Sequence, residues 1–131
     1  VTPATYLDSS ALVKLAVEEP ESGALRAHLR RRKILVSSAL ARTEVLRALL
    51  LEGEEGVARG RAVLGRIELI RVNDRLLTAA GLLQTPDVRS LDAIHLATAQ
   101  ELGSDLSQVI SYDERMVEAA KGLGLKTASP A

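Results

Sequence analysis

The stretch ATYLDSSALVKLAVEEP, Ala4 to Pro20, decides how the rest of the chain is read. ATYL is an apolar run too short for a helix and bounded by an acid, which reads as a buried strand. Ser9 or Ser10 can cap a helix over SALVKLAVEE, and Pro20 ends it. A strand followed at once by an amphipathic helix is the unit of an α/β fold. The unit recurs downstream. ESGALRAHLRRR reads as a helix, and KILVS (Lys33–Ser37), rich in β-branched residues, as a second strand. ALARTEVLRALLLEG is a long helix stopped by Gly53, and EGVARGRAVLGRI is helical despite its glycines. IELIRV, from Ile67 to Val72, is a third strand, after which Asp74 caps DRLLTAAGLLQ. TPDVR is a loop, and Ser90 caps SLDAIHLATAQELG. SQVIS (Ser107–Ser111) is a fourth strand. SYDE, from Ser111, matches the capping box S-x-x-E that opens DERMVEAAKGLG. LKTAS supplies a last short strand. Such alternation predicts one α/β domain over residues 1–131, with a mostly parallel sheet. Ligands of such sheets bind outside the carboxyl ends of the strands, where the strand order switches.

Composition narrows the function. Hydrophobic residues make up 47% of the 131, enough for a packed core. There is no Phe or Trp, and Tyr6 and Tyr112 are the only aromatics, so no platform for stacking successive bases exists. Seventeen basic residues balance seventeen acids, which argues against coating nucleic acid by bulk charge. Cysteine is absent, which excludes disulfides, thiolate metal sites and thiol chemistry. No apolar run approaches the roughly 18 residues of a membrane span. The first residues lack the charged and apolar regions of a signal peptide, so the cytoplasm is the expected location.

Four acids stand where the pattern calls for apolar or capping residues. Asp8 closes the first strand and Asp113 follows the fourth by two residues. Asp92 lies in the first turn of its helix. Glu44 interrupts the apolar pattern of ARTEVLRALL, beside Leu40 and Ala48 by helical spacing. Each has an ordinary explanation: a cap for Asp8 and Asp113, the helix dipole for Asp92, a paired or solvated position for Glu44. Together they mean more. Carboxylates gathered without basic partners repel one another, and burial adds to the cost. A divalent cation removes that conflict, and oxygen ligands without Cys or a His cluster suit Mg²⁺ or Mn²⁺.

ATYLDSSALVKL, ARTEVLRALL, SLDAIHLATA and ISYDERMVEAAKGLGL, in that order, resemble the PIN domain along nearly the whole chain, most closely the short VapC-type toxins of bacterial toxin–antitoxin pairs. The resemblance implies a three-layer α/β/α sandwich with a short central sheet. It implies a Mg²⁺- or Mn²⁺-dependent endoribonuclease in which metal-activated water cleaves structured RNA, transfer or ribosomal, leaving a 3′-hydroxyl and a 5′-phosphate. The family's acids fall on Asp8, Glu44, Asp92 and Asp113. Asp8, Asp92 and Asp113 are the implied metal ligands, with Glu44 acting directly or through water. Ser9 and Ser111 fall on its supporting hydroxyls. The resemblance also implies a homodimer and a cognate VapB-type antitoxin. The apolar helices SALVKLAVEE and ALARTEVLRALL could serve those surfaces, although core packing accounts for them equally well.

Arg42, just ahead of Glu44, and Arg115, beside Asp113, are the candidates for contact with RNA or antitoxin. Arg30, Arg31, Arg32 and Lys33 form the densest basic run and read as a solvated helix end. His95 stands three residues after Asp92, but a lone His in AIHLATA reads as a packed or hydrogen-bonded core residue rather than a ligand. His28 reads as a helix-surface residue. The alternative from another class is a PIN-like module that binds RNA or a protein without cutting.

Overall fold

The computed structural model describes residues 3–85 and 87–131. Pro86, within the loop read at Thr85–Arg89, lies outside the described residues, as do Val1 and Thr2. The strands are β1 (Ala4–Leu7), β2 (Ile34–Ser38), β3 (Glu68–Ile70), β4 (Leu106–Ile110) and β5 (Thr127–Ala128). The helices are α1 (Ser9–Ala16), α2 (Ser22–Leu29), α3 (Leu40–Leu49), α4 (Gly53–Leu64), α5 (Asp74–Gly81), α6 (Ser90–Glu101) and α7 (Glu114–Gly122).

The five strands form one sheet in the order β3-β2-β1-β4-β5, and every pairing is parallel. Side-chain alternation divides the strands between two helical layers. Leu7, Leu35, Leu69 and Ile110 pack toward α1, α2, α3 and α4. Ala4, Tyr6, Val36 and Val109 pack on the other face, against Ala99 of α6. Beyond Ala99, α6 meets α5 through Ala97 and Leu76, and α7 through Leu96 and Met116. The result is the parallel α/β sheet that the alternating pattern predicted, within the three-layer sandwich that the resemblance implied.

Several caps differ from their sequence reading. Asp8, not Ser9 or Ser10, caps α1, and the helix ends at Ala16, ahead of Pro20. Asn73 rather than Asp74 caps α5, its Oδ1 accepting from Leu76 N at 2.9 Å. Ser90 is the first residue inside α6 rather than its cap, and extended Arg89 precedes it. The SYDE capping box does not form. Asp113 caps α7, its side chain accepting from Arg115 N, and the Ser111 hydroxyl donates to Asp8 instead.

Gly53 does not simply stop a helix. α3 passes through a 3₁₀ turn, Leu50–Glu52, and Gly53 at φ 74° reverses the chain into α4. The two helices then lie close together. A Cβ on Gly56 would stand 2.1 Å from Glu52 Cβ, and one on Gly60 would stand 2.4 Å from Leu49 Cδ1. This explains why α4 tolerates glycines that cost helix propensity. Gly56→Ala, which gains about 1 kcal/mol of propensity, is expected instead to destabilise by roughly 1–3 kcal/mol through overpacking. A lower urea midpoint at unchanged slope would show it. A raised midpoint would mean that the turn at Glu52 relaxes to admit the methyl.

Candidate active site

The chain winds outward from β1 through β2 and β3, then returns to place β4 on the other side of β1. The switch in strand order therefore lies between β1 and β4, where a ligand crevice is expected. Asp8 leaves β1 at that point, with its amide still bonded to Ile110 O at 3.2 Å. Ser111, Tyr112 and Asp113 leave β4 beside it.

Asp8 is only 4% exposed. Its Oδ1 accepts from Ala11 N at 3.1 Å and from Ser10 Oγ at 2.6 Å, and its Oδ2 accepts from Ser111 Oγ at 2.5 Å. Burial pushes its carboxyl above the ordinary aspartate range, despite the bonds from Ser10, Ser111 and Ala11 that favour its charge. Ser10 and Ser111 also join the two strand ends: Tyr112 N donates to Ser10 Oγ at 2.9 Å, and Ser111, which donates to Asp8, accepts from its neighbour Asp113 N at 3.1 Å.

Glu44 comes from α3 on one face of the sheet. Ser9 Oγ donates to its Oε1 at 2.5 Å, and His95 Nε2, from α6 on the other face, meets the same oxygen at 2.6 Å. Burial opposes the charge of Glu44, but the bonds from His95 and Ser9 outweigh it and hold the carboxyl below its ordinary range. Asp92, half-buried in the first turn of α6, shifts the other way. Burial raises it first, the charge of Asp113 second, and Asp8 and Glu44 add to the effect. The four acids thus share one electrostatic neighbourhood. Their only basic partner among the described residues is His95, on Glu44; no Lys or Arg pairs with them.

Asp8 and Glu44 are pinned, whereas Asp92 and Asp113 are held loosely. Asp113 Oδ1 accepts from Arg115 N at 3.0 Å, and the Asp92 carboxylate makes no hydrogen bond among the described residues. No three His, Cys, Asp or Glu side chains among the described residues already stand at ion-holding distance. Asp92 and Asp113 are the acids with the greater freedom to turn among the four. The donor set of carboxylate and hydroxyl oxygens fits a hard divalent cation.

Arg42 is exposed, two residues before Glu44 and so turned to a different side of α3. Arg115 is exposed and lines a cleft of about 520 Å³ between α7 and the loop before α6, with Gln84, Thr85, Val88, Glu114 and Glu118. Arg30 to Lys33 precede β2 and lie at the opposite, amino end of the sheet, away from the acids. His28 is half-buried and bonds Gln108 at 2.5 Å at that same end. The apolar faces of α1 and α3 are taken by the core. Sequence reasoning missed Ser10, whose signal was adjacency to Asp8, and Tyr6, which carried none.

The PIN domain family model matches residues 5–122. The chain belongs to the PIN-domain family. Within it, this PIN domain is 58% identical to Ribonuclease VapC46 of Mycobacterium tuberculosis, over 97% of this chain and 98% of that protein. That likeness places it in the VapC branch. Two solved structures share the fold. The Mycobacterium tuberculosis toxin VapC20, described as cleaving the sarcin-ricin loop, superposes with a TM-score of 0.75 at 15% identity, over 96% of this chain and 99% of that one. A toxin–antitoxin complex from Klebsiella pneumoniae gives a TM-score of 0.73 at 20% identity, over 97% and 98%.

Proposed function

We propose that this VapC-family ribonuclease is the toxin of a toxin–antitoxin pair and hydrolyses structured RNA with the help of Mg²⁺ or Mn²⁺. The observation that carries the reading is the convergence of four acids, none paired with Lys or Arg among the described residues, at the strand-order switch. Asp8, Asp92 and Asp113 would hold the cation, with Glu44 contacting it directly or through water. When bound, such a cation polarises the phosphodiester and acidifies an attacking water. The chain's own residues do the rest. Ser10 and Ser111 fix the Asp8 carboxylate, and Ser9 and His95 fix Glu44 through Oε1, which leaves Oε2 without a hydrogen bond among the described residues. Arg115, exposed two residues after Asp113 on a cleft that also holds Asp87, Glu114 and Glu118, would be the candidate for contact with a phosphate of the RNA strand. Recognition then rests on the shape of a folded RNA, such as a transfer or ribosomal RNA, because the chain lacks stacking aromatics.

The VapB-type antitoxin and the homodimer belong to the same reading. With α1 and α3 committed to the core, the apolar surface left for a partner includes Leu50 and Leu51 at the end of α3, the latter 96% exposed. The test is a cleavage time course on total cellular RNA with protein freed of any co-purified inhibitor. Discrete fragments are expected in Mg²⁺ or Mn²⁺ and none in EDTA. RNA that is bound yet intact in all lanes would favour the non-cutting module instead.

A further inference from the structure

His95 is 2% exposed, and all of its polar contacts lead to the site. Its Nδ1 lies 2.6 Å from Tyr6 Oη, its Nε2 2.6 Å from Glu44 Oε1 and 3.4 Å from Ser9 Oγ. A carboxylate only accepts, so Nε2 carries a proton and donates it. In the neutral ring the Tyr6 hydroxyl donates to Nδ1, and in the imidazolium it accepts from it; either bond fixes the ring's orientation. The Tyr6 and His95 rings also meet edge to face, with centroids 5.8 Å apart and planes at 78°. Tyr6 is itself fully buried on β1, two residues before Asp8. One strand therefore supplies Asp8 directly and sets Glu44 through a chain that crosses from the α6 layer to the α3 layer.

We propose that His95, oriented by Tyr6, is a positioning residue that presets the Glu44 carboxylate for the divalent cation. The inference rests on the metal-dependent reading above. Saturating Oε1 with two donors leaves the carboxylate one orientation, and Oε2 is the oxygen free to serve the cation. Groups that orient a ligand in this way typically contribute 10–100-fold to metal affinity.

The experiment measures Mn²⁺ affinity by calorimetry, with kcat and KM for RNA alongside. Its proteins are the wild type, His95→Leu, His95→Gln, Tyr6→Phe, Glu44→Gln and the double variant of Glu44→Gln with His95→Leu. His95→Leu is expected to weaken Mn²⁺ binding about 10–100-fold and to lower kcat with little change in KM. His95→Gln, which keeps an N–H donor near the Nε2 position, is expected to restore much of the loss. In the Glu44→Gln background, His95→Leu is expected to add nothing. Unchanged affinity in folded His95→Leu, or an equal loss with and without Glu44, would overturn the proposal. If His95→Leu fails to fold, Tyr6→Phe decides, because it removes one hydroxyl only: a several-fold loss in Mn²⁺ affinity supports the relay, and wild-type affinity overturns it. A wild type that binds no Mn²⁺ would instead remove the metal-dependent reading itself, and this proposal with it.

Discussion

Asp8→Asn is expected to lose RNA cleavage by more than about 100-fold, the upper cost of disturbing a group that merely orients a ligand, while melting no lower than wild type in chelator. The two halves of this result have one cause. Asp8 is a buried charge whose carboxyl is raised by desolvation, so ionising it costs the folded state. Asn removes the charge and keeps the shape. Its carbonyl can still accept from Ala11 N and Ser10 Oγ, and its amide can donate to Ser111 Oγ. Alanine is the poorer probe, because it strips the acceptor from three buried or half-buried donors, at about 1–3 kcal/mol for each buried group left unsatisfied. Inactivity of Asp8→Ala would therefore mix lost chemistry with lost packing. The check is a cleavage time course paired with a thermal melt. Near-wild-type cleavage by folded Asp8→Asn would overturn its role. A clearly lowered melting temperature would show that the charge supports the fold.

The fold was legible because its signal is periodic and local. Ala4–Leu7 is the strand that its length and flanks predicted, and β2 and β4 lie within one residue of their readings. Caps were less legible, because several residues with capping side chains stood near each helix start and tertiary demands chose among them. Ser111 shows this: its sequence context suits a helix cap, yet the fold places it against Asp8, 103 residues away in sequence. Glu44 stood out because it broke an apolar helix; Asp8, Asp92 and Asp113 also suit caps and first turns, and only the family resemblance joined them to it. Of their companions, Ser9 and Ser111 came with the resemblance, whereas Ser10, Tyr6 and the role of His95 did not. His95 and Tyr6 look like core residues and are core residues. What joins them to Glu44 is a meeting of β1, α3 and α6 from both faces of the sheet, which no spacing along the chain encodes.

The metal-free protein is expected to become more stable as the pH is lowered from neutral, and a divalent cation to become less stabilising over the same interval. The folded-state values of Asp8 and Asp92 lie above their ordinary ones, so the folded state binds more protons than the unfolded chain between the two. The stability tied to those protons is fully present below the ordinary aspartate range and is lost as the pH rises through the raised values. Glu44 runs the other way: its contribution is present above the ordinary glutamate range and is lost as the pH falls through its lowered value. The melting temperature in chelator should therefore pass through a maximum on the acid side of neutrality. At neutral pH, Mg²⁺ at about 100 times its dissociation constant should raise the melting temperature by on the order of 10 °C. That increment should shrink on acidification, because protons and cation compete for the same oxygens. Asp8→Asn should flatten the pH profile in chelator and lose most of the Mg²⁺ increment. A wild-type melting temperature that falls steadily from neutrality in chelator, with no response to Mg²⁺, would mean that the four acids neither repel one another nor share an ion.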